Sequence, residues 1–381
     1  MLAAPGCRGH APGAWRRARP GRLAATSLLG ALALLACARG TVSTGSPART
    51  AAVELSAGPA PAPPPARWLG LLGEYGEGAA WRVVAEHEGK LHLVDTALRV
   101  TPLTERGESE FVTDSGAVRV RFVREASGRA TELLLGDVRL ARNQIEPRPG
   151  SNQLRVTPVR SVDSLRTEAL AAAPPSEAGP FAPNDLVELV RLEPSIRLDI
   201  RYATTNNFLG TRFYDQPRAF LQRPAAEAVV RAHRALRSAG YGLLVHDGYR
   251  PWYVTKMFWD AVPADTKWLV ADPAQGSRHN RGAAVDLTLF ELATGRPVEM
   301  PSTYDESTGR AYASYPGGTT RQRWHRALLR RAMEAEGFRA NVLEWWHFDH
   351  ATWRSYAITN VPFDRIPRTT TGSPVGPVAP F

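Results

Sequence analysis

Cysteine is nearly absent from this chain of 381 residues, which contains only Cys7 and Cys37. Both lie in the first 37 residues, and export would remove the segment that contains Cys7. The remainder then has no pair of cysteines, which excludes internal disulfides, so its folds must depend on core packing. The apolar stretch Leu23–Ala36 is too short to span a bilayer.

The chain also lacks the basic stripe that nucleic-acid-binding proteins carry. Its net charge is +10, but five arginines fall in residues 1–37, where there is no acidic residue, and the remainder has 42 basic against 37 acidic residues. These arginines are scattered, and there is no lysine-rich run. We therefore predict no nucleic-acid partner and interpret the arginines as a solvated surface.

The first 37 residues have the composition of an export signal, with a basic beginning followed by the apolar Leu23–Ala36. They end in Leu34-Leu35-Ala36-Cys37, which resembles the lipobox of bacterial lipoproteins, where the cysteine is acylated. We predict an exported, periplasmic protein whose membrane contact is a lipid anchor at Cys37. An ordinary secretory signal is the alternative.

Composition divides the rest of the chain into segments. Residues 38–66 are rich in proline and alanine, which predicts an extended linker. Residues 67–146 alternate apolar and polar positions between glycine-containing turns, which predicts a small all-β accessory domain, a barrel or a sandwich. The sequence does not indicate what this domain binds. In its strand pattern alone it resembles the lipocalin-like domains beside some bacterial hydrolases. A second linker, a larger domain and a disordered tail are predicted for 147–182, 183–370 and 371–381.

The larger domain alternates strand and helix signals. Proline begins and glycine ends a predicted helix over residues 224–240, the usual asymmetry of helix ends. Leu243–Val245 predicts a short buried strand, and a further helix is predicted from Arg321 to Glu336.

Two short motifs in this domain together offer the ligands of one metal site. The first contains His279 and Asp286, and the second contains Glu344 and His347. A catalytic zinc ion takes three nitrogen or oxygen ligands, an open position for water and a nearby base. His279, Asp286 and His347 can fill the ligand roles, which leaves Glu344 as the base. On a flat strand positions 344 and 347 would face opposite sides, so the segment must bulge, twist or end there.

Four motifs resemble, in the same order, those of the D-alanyl-D-alanine dipeptidases of the VanX type, relatives of zinc D,D-carboxypeptidases and of the Hedgehog signalling domain: Arg201–Thr204, Asp247–Pro251, Ser277–Leu289 and Glu344–Phe348. The resemblance covers about half the chain. It implies an α+β peptidase domain with a central antiparallel sheet flanked by helices. It also implies one zinc ion held by His279, Asp286 and His347, with Glu344 as the catalytic base.

The resemblance implies further roles around the metal. Arg250 would stabilise the oxyanion of the tetrahedral intermediate, and loss of such a donor typically costs about two to three orders of magnitude in rate. Asp305 would bind the free ammonium of the substrate, while Tyr202 and Ser277 would line its pocket. Tyr304 stands where relatives often have phenylalanine, so we expect a different pocket rim.

Three functions fit these observations. The first is zinc-dependent hydrolysis of the dipeptide D-Ala-D-Ala to two D-alanines in cell-wall peptide turnover. The second is a D,D-carboxypeptidase acting on peptidoglycan stem peptides, against which Asp305 argues, because a charge that closes the amino-side subsite excludes longer peptides. The third is a non-catalytic zinc-containing binding module, which would have no need of Glu344.

Export also bears on the biological role. The best-known dipeptidases of this family act in the cytoplasm, so an exported relative favours scavenging of D-alanine from wall fragments over antibiotic resistance. All candidate site residues lie outside 67–146, and we therefore predict that the β-rich domain is dispensable for the chemistry.

Overall fold

The computed structural model describes residues 58–143 and 155–367, which belong to one compact unit. The predicted export signal with Cys37, most of the first linker and the predicted tail lie outside the described residues. Within the described ranges, no helix is both long and apolar enough to cross a bilayer.

The first region is an eight-stranded antiparallel meander that closes into a barrel. Each strand pairs with the next, and the last returns to the first through Gly76 N–Ala141 O and Asn143 N–Glu74 O hydrogen bonds, both 2.8 Å. The predicted β-rich region is therefore present, as a barrel. A short helix, α1 (Ala66–Leu69), precedes its strands: β1 (Gly73–Tyr75), β2 (Arg82–His87), β3 (Lys90–Val94), β4 (Val100–Gly107), β5 (Glu110–Thr113), β6 (Arg119–Arg124), β7 (Ala130–Leu135) and β8 (Val138–Ala141).

Apolar side chains fill the barrel. Strand β6 shows why: Val120 and Phe122 are buried while Arg119 and Arg121 are exposed, the alternation of a strand with one face in a core. Phe122 meets Tyr75 edge-to-face, with ring centroids 6.0 Å apart, and packs likewise on Phe111 at 5.7 Å. The interior is therefore a packed core.

The second region is built on a five-stranded sheet with the order β10-β12-β13-β15-β14, antiparallel except for the short parallel pair β10–β12. The predicted antiparallel sheet with flanking helices is thus found, with one parallel edge that the sequence did not indicate. Strands β9 and β11 form a separate pair. The elements are α2 (Val162–Ala171), β9 (Leu186–Glu188), α3 (Leu189–Leu192), β10 (Arg197–Leu198), β11 (Phe220–Gln222), α4 (Arg223–Arg237), β12 (Tyr241–Asp247), α5 (Trp252–Ala261), β13 (Ala284–Glu291), α6 (Thr320–Glu334), β14 (Phe338–Ala340) and β15 (His347–His350).

The two predicted long helices are present with small changes at their ends. They are α4 and α6, and the chain turns after them at Gly240 and Gly337, which have φ of 86° and 82°. Left-handed φ values favour glycine, so these residues do end the helical stretches as predicted. Helix α4 packs on β12 and on α6, which in turn contacts β13 and β14.

The structure differs in part from the prediction of a second linker over residues 147–182. Residues 162–171 of this segment form α2, which begins at Ser161, whose side chain accepts a hydrogen bond from Ser164 N. Leu165 and Ala169 are buried in the core of the second region, where α2 packs against α5. The alanine- and proline-rich stretch that suggested a linker follows this helix, so α2 belongs to the larger domain.

Candidate active site

His279 lies in a 3₁₀ turn, Arg278–Arg281, that a reciprocal hydrogen-bond pair closes. Ser277 Oγ accepts from His279 N at 3.2 Å, and Ser277 N donates to Asn280 Oδ1 at 2.7 Å. The buried Asn280 amide also donates to Arg250 O at 2.8 Å. Ser277 therefore has a local structural task in addition to its place at the cleft, because it fixes the turn that carries His279.

Asp286 and His347 face each other on neighbouring strands. They form a register pair between β13 and β15, and Asp286 is paired on its other side with Asp247 of β12, next to a register shift after Val245. Strand β15 begins at His347, and Glu344 lies in the turn before it, with His347 N donating to Glu344 O at 3.2 Å. The conflict over positions 344 and 347 is resolved in one of the predicted ways, since the strand ends there.

Three potential ligand atoms, one each from His279, Asp286 and His347, form a triangle, called here the donor triangle, of the size that a small cation requires. His279 Nε2 lies 3.2 Å from His347 Nδ1 and 3.4 Å from Asp286 Oδ1, and His347 Nδ1 lies 3.0 Å from Asp286 Oδ1. In a tetrahedral zinc site with bonds of about 2.0–2.1 Å, ligand atoms are about 3.3 Å apart. The residues thus fit a metal ion, with one tetrahedral position left for water or substrate.

Neighbouring groups fix which nitrogen of each imidazole faces the metal position. His279 Nδ1 lies 2.7 Å from Gly248 O, which can only accept, so this nitrogen carries the proton and Nε2 is free. His347 Nε2 lies 3.0 Å from Asp349 Oδ1, and the other oxygen of Asp349 is paired with Arg278 at 2.9 Å. Such outer partners orient ligating histidines and raise their basicity.

Negative charge dominates the metal position. Burial would raise the pKa of Asp286, but the two imidazoles outweigh it and hold that pKa well below its usual range. Burial would lower the pKa of His347, yet hydrogen bonds with Asp286 and Asp349 raise it to about 10. Desolvation and the Asp286 carboxylate raise the pKa values of Asp305 and Glu344. Together these shifts describe a cluster of carboxylates, of which Asp286 is buried and Asp305 and Glu344 are partly exposed, that a divalent cation would stabilise.

Arg250 is buried beside the metal group and held by one carboxylate. Its Nε and a terminal nitrogen donate to Asp247 Oδ2 at 3.0 and 2.7 Å, while Asp247 Oδ1 accepts from Tyr214 Oη at 2.7 Å. Burial lowers the pKa of Arg250, but Asp247 and nearby tyrosines more than reverse this effect. The guanidinium, stacked over Tyr202 and Phe258, is therefore a fixed positive charge.

Asp305 lines the same cleft in a strained loop conformation. It is one of three non-glycine residues with positive φ, 61°, among the described residues. Tyr202 Oη donates to both carboxylate oxygens, at 3.2 and 3.1 Å. Backbone strain of this kind persists only where the surroundings hold it, which is common at ligand sites.

All eight predicted site residues line one cleft of about 360 Å³: Tyr202, Arg250, Ser277, His279, Asp286, Asp305, Glu344 and His347. They come from five separate parts of the chain. Glu344 Oε2 is 3.9 Å from His347 Nδ1 and accepts from Asn341 Nδ2 at 3.0 Å, so it lies beside the donor triangle without being part of it.

Sequence reasoning missed two further contacts of the metal group. Tyr304 Oη donates to Asp286 Oδ2 at 3.0 Å, which leaves Oδ1 to face the imidazoles, and the Tyr304 ring packs on His246 with centroids 4.6 Å apart. Asp349 supports His347 as described above. Its spacing of two residues from His347 was a usable signal, because positions i and i+2 share one face of a strand.

The second region of the chain is similar to known dipeptidases. The family model described as D-ala-D-ala dipeptidase matches residues 182–363. The chain is 33% identical over 174 residues to the D-alanyl-D-alanine dipeptidase of Escherichia coli K12, covering 46% of this chain and 89% of that protein. For the dipeptidase of Enterococcus faecium the values are 35% over 171 residues, 40% and 85%, and for that of Streptomyces coelicolor 31% over 182 residues, 43% and 90%.

The chain therefore belongs to the D-alanyl-D-alanine dipeptidase family. The family match falls entirely in the second region and includes every candidate site residue, whereas the barrel lies outside it.

Proposed function

We propose that this protein is a zinc-dependent dipeptidase that hydrolyses D-Ala-D-Ala to two D-alanines. The observation that carries the proposal is that one cleft contains a three-atom metal group, the Glu344 carboxylate beside it and the Asp305 carboxylate. The family membership supports the same reaction, since the similar proteins from three genera are D-alanyl-D-alanine dipeptidases.

Zinc is the metal that this donor set favours. Catalytic zinc sites typically have three protein ligands, such as two imidazoles and one carboxylate, at three corners of a tetrahedron, with the fourth corner open. The ion would be held by His279 Nε2, His347 Nδ1 and Asp286 Oδ1. When bound, it supplies Lewis-acid polarisation of a carbonyl and lowers the pKa of water.

Glu344 is the general base in this proposal. Its raised pKa and its position beside the donor triangle allow it to accept the proton of the attacking water and to return it to the leaving amine. Asn341 holds the Glu344 carboxylate at 3.0 Å, which orients it. Arg250, anchored by Asp247, contributes the positive charge that stabilises the oxyanion as it develops.

Asp305 distinguishes a dipeptidase from a carboxypeptidase. A free substrate ammonium gives this desolvated carboxylate a partner of opposite charge, whereas a longer peptide presents a neutral amide at the same place. Tyr202 orients the carboxylate for this contact, and Ser277 lines the cleft near His279.

The proposed location is outside the cytoplasm. An export signal over residues 1–37 with acylation at Cys37 would anchor the protein to a bacterial membrane, where it would release D-alanine from wall fragments. The expected result for Cys37→Ser is loss of metabolically incorporated palmitate and release from the membrane fraction. Unchanged labelling would contradict the anchor.

The central experiment compares three substrates with and without a chelator. We expect free D-Ala-D-Ala to be hydrolysed far faster than N-acetyl-D-Ala-D-Ala or a stem pentapeptide, because only the free dipeptide pairs with Asp305. Chelation should abolish hydrolysis, and added zinc should restore it. Equal rates on the free and acetylated dipeptides would replace this proposal with the carboxypeptidase, and no hydrolysis of any substrate would favour a binding module.

A further inference from the structure

Strand β2 of the barrel is buried on both faces over four consecutive residues, 83–86. Val84 points into the barrel core, whereas Val83 and Ala85, on the outer face, form a separate apolar cluster with Val94 and with Tyr315 of the peptidase region. Strand β6, in contrast, alternates buried and exposed residues. The outer face of β2 is therefore covered by the peptidase region.

A buried carboxylate on β2 completes this interface. Glu86 is 2% exposed, and its carboxylate accepts from Thr320 N and Gly89 N, both at 2.7 Å, and from Thr320 Oγ1 at 3.1 Å. Its backbone N donates to Gly318 O at 3.1 Å, and its backbone O accepts from Arg323 at 2.7 Å. Because most of these partners lie in the peptidase region, separating the regions would leave Glu86 with far fewer partners for its charge.

The anchored residues end a long irregular segment that forms one wall of the cleft. Residues 300–319 form the last part of the connection between β13 and α6, contain no α-helix or strand, and include Asp305. Inside the segment, Arg310 donates to Pro301 O at 2.8 Å, and Asp305 has the strained φ noted above. Irregular segments of this length are usually functional and have low local stability, so their conformation depends on outside support.

We propose that the barrel is a positioning module for the substrate-binding loop: by docking Gly318, Thr320 and Tyr315, strand β2 holds residues 300–319 in the conformation that presents Asp305 to the substrate ammonium. Glu86 is then a positioning residue of the peptidase, although it does not touch the substrate. This inference rests on the proposed dipeptidase function and on Asp305 as the ammonium partner.

The proposal has a kinetic signature. Without Glu86 the segment would occupy the binding-competent conformation for a smaller fraction of the time, which weakens apparent affinity in proportion to that fraction. Bound substrate would still select the competent conformation, so the rate at saturation would be retained. The barrel would thus be dispensable for the chemical step, as the sequence suggests, but not for substrate binding.

The test is a kinetic comparison of Glu86→Ala with the parent enzyme in the full chain. If the competent fraction falls to a tenth, KM for free D-Ala-D-Ala rises about tenfold while kcat stays within about twofold. N-acetyl-D-Ala-D-Ala, which lacks the ammonium, should show no change in KM. Glu86→Gln, which keeps the shape and one accepting oxygen, should lie between Ala and the parent.

Glu132→Gln is the matched control. This barrel carboxylate on β7 is paired with Arg139 of β8 and lies outside the peptidase contact, so both kinetic constants should equal those of the parent. Thr320→Val removes one donor from the other side of the interface and should act in the same direction as Glu86→Ala. It also provides the test if Glu86→Ala does not fold.

Two outcomes would overturn the proposal. An unchanged KM in a folded Glu86→Ala or Thr320→Val variant would show that the barrel does not position the loop. A fall in kcat with constant KM for both substrates would indicate loss of folded enzyme only. Failure of the proposed function is distinguishable, because the parent enzyme itself would then not hydrolyse the dipeptide.

Discussion

The barrel and the peptidase region bury charge in different ways. In the described part of the barrel the core is apolar, and the buried charged residues are Glu86, which faces the peptidase, and Arg142, which donates to backbone carbonyls including Gly70 O at 2.7 Å. The peptidase region instead gathers buried carboxylates, imidazoles and a guanidinium around one cleft. The buried charged residues of the barrel thus connect structural elements, whereas those of the peptidase region surround the proposed catalytic cleft.

The cost of burying charge explains this difference. A buried ionised group is destabilising unless partners compensate for its desolvation, so a fold retains one only where hydrogen bonds satisfy it or a ligand does. Arg142 and Glu86 are satisfied by the protein itself. The carboxylates of the cleft are not fully compensated by the protein, as the raised pKa values of Asp305 and Glu344 indicate, and these groups are the ones proposed to meet substrate and water.

The largest expected effects come from separating the ligand and base roles within the peptidase cleft. Glu344→Gln should abolish hydrolysis while zinc content remains near one per chain, because the base is not a ligand. His279→Ala should lose both zinc and activity, since two remaining ligands hold the ion poorly. Metal analysis of the purified, folded variants beside the dipeptide assay checks both. Loss of zinc from folded Glu344→Gln would show that its role has been exchanged with that of another residue.

A smaller effect is expected from Tyr304→Phe, which removes the hydroxyl bonded to Asp286 Oδ2 while keeping the ring against His246. Loss of an outer partner typically weakens metal binding about 10- to 100-fold. Zinc affinity, measured by competition with a chromogenic chelator, should fall accordingly. Tyr312→Phe, at an exposed tyrosine of the cleft rim, is the control and should bind zinc like the parent. Equal affinities in all three proteins would mean that the Tyr304 hydroxyl does not support Asp286.

The smallest effect concerns acid stability, in which the two regions should differ. His233 is buried on α4, where desolvation lowers its pKa to about 4; its Nδ1 accepts from Leu243 N at 3.1 Å, and its Nε2 is 3.0 Å from Ser195 Oγ. An unfolded histidine has a pKa of about 6.5, so between these values the unfolded state binds more protons. Its contribution to stability is therefore complete above pH 6.5 and is lost as pH falls through about 4.

Thermal unfolding followed from pH 7 to pH 4 measures this contribution. The melting temperature of His233→Gln should depend less on pH than that of the parent. His87→Gln, at an exposed histidine of the barrel, should keep the parent slope. If the melting temperature of His233→Gln depends on pH as strongly as that of the parent, the acid sensitivity arises elsewhere.

The residues of the candidate metal group and the members of the cleft were predictable from the sequence, and the role of Glu344 as the base stays a prediction. His279, Asp286, Glu344 and His347 could be identified because metal chemistry demands particular residue types in motifs that are local in the chain. The strand pattern of the barrel and the long helices α4 and α6 were also predictable, because alternation and helix-end residues are local signals. Helix α2 was missed, since the proline-rich stretch that follows it suggested a linker.

How these parts act together depends on contacts that form only in the folded protein. The protonated nitrogen of His279 is set by Gly248 O, and the orientation of Arg250 is set by Asp247, whose other oxygen is held by Tyr214. The docking of β2 on Gly318 and Thr320 joins residues more than 230 positions apart in the chain. Such contacts leave no periodic or compositional trace, because each depends on two surfaces that become neighbours only after both regions have folded.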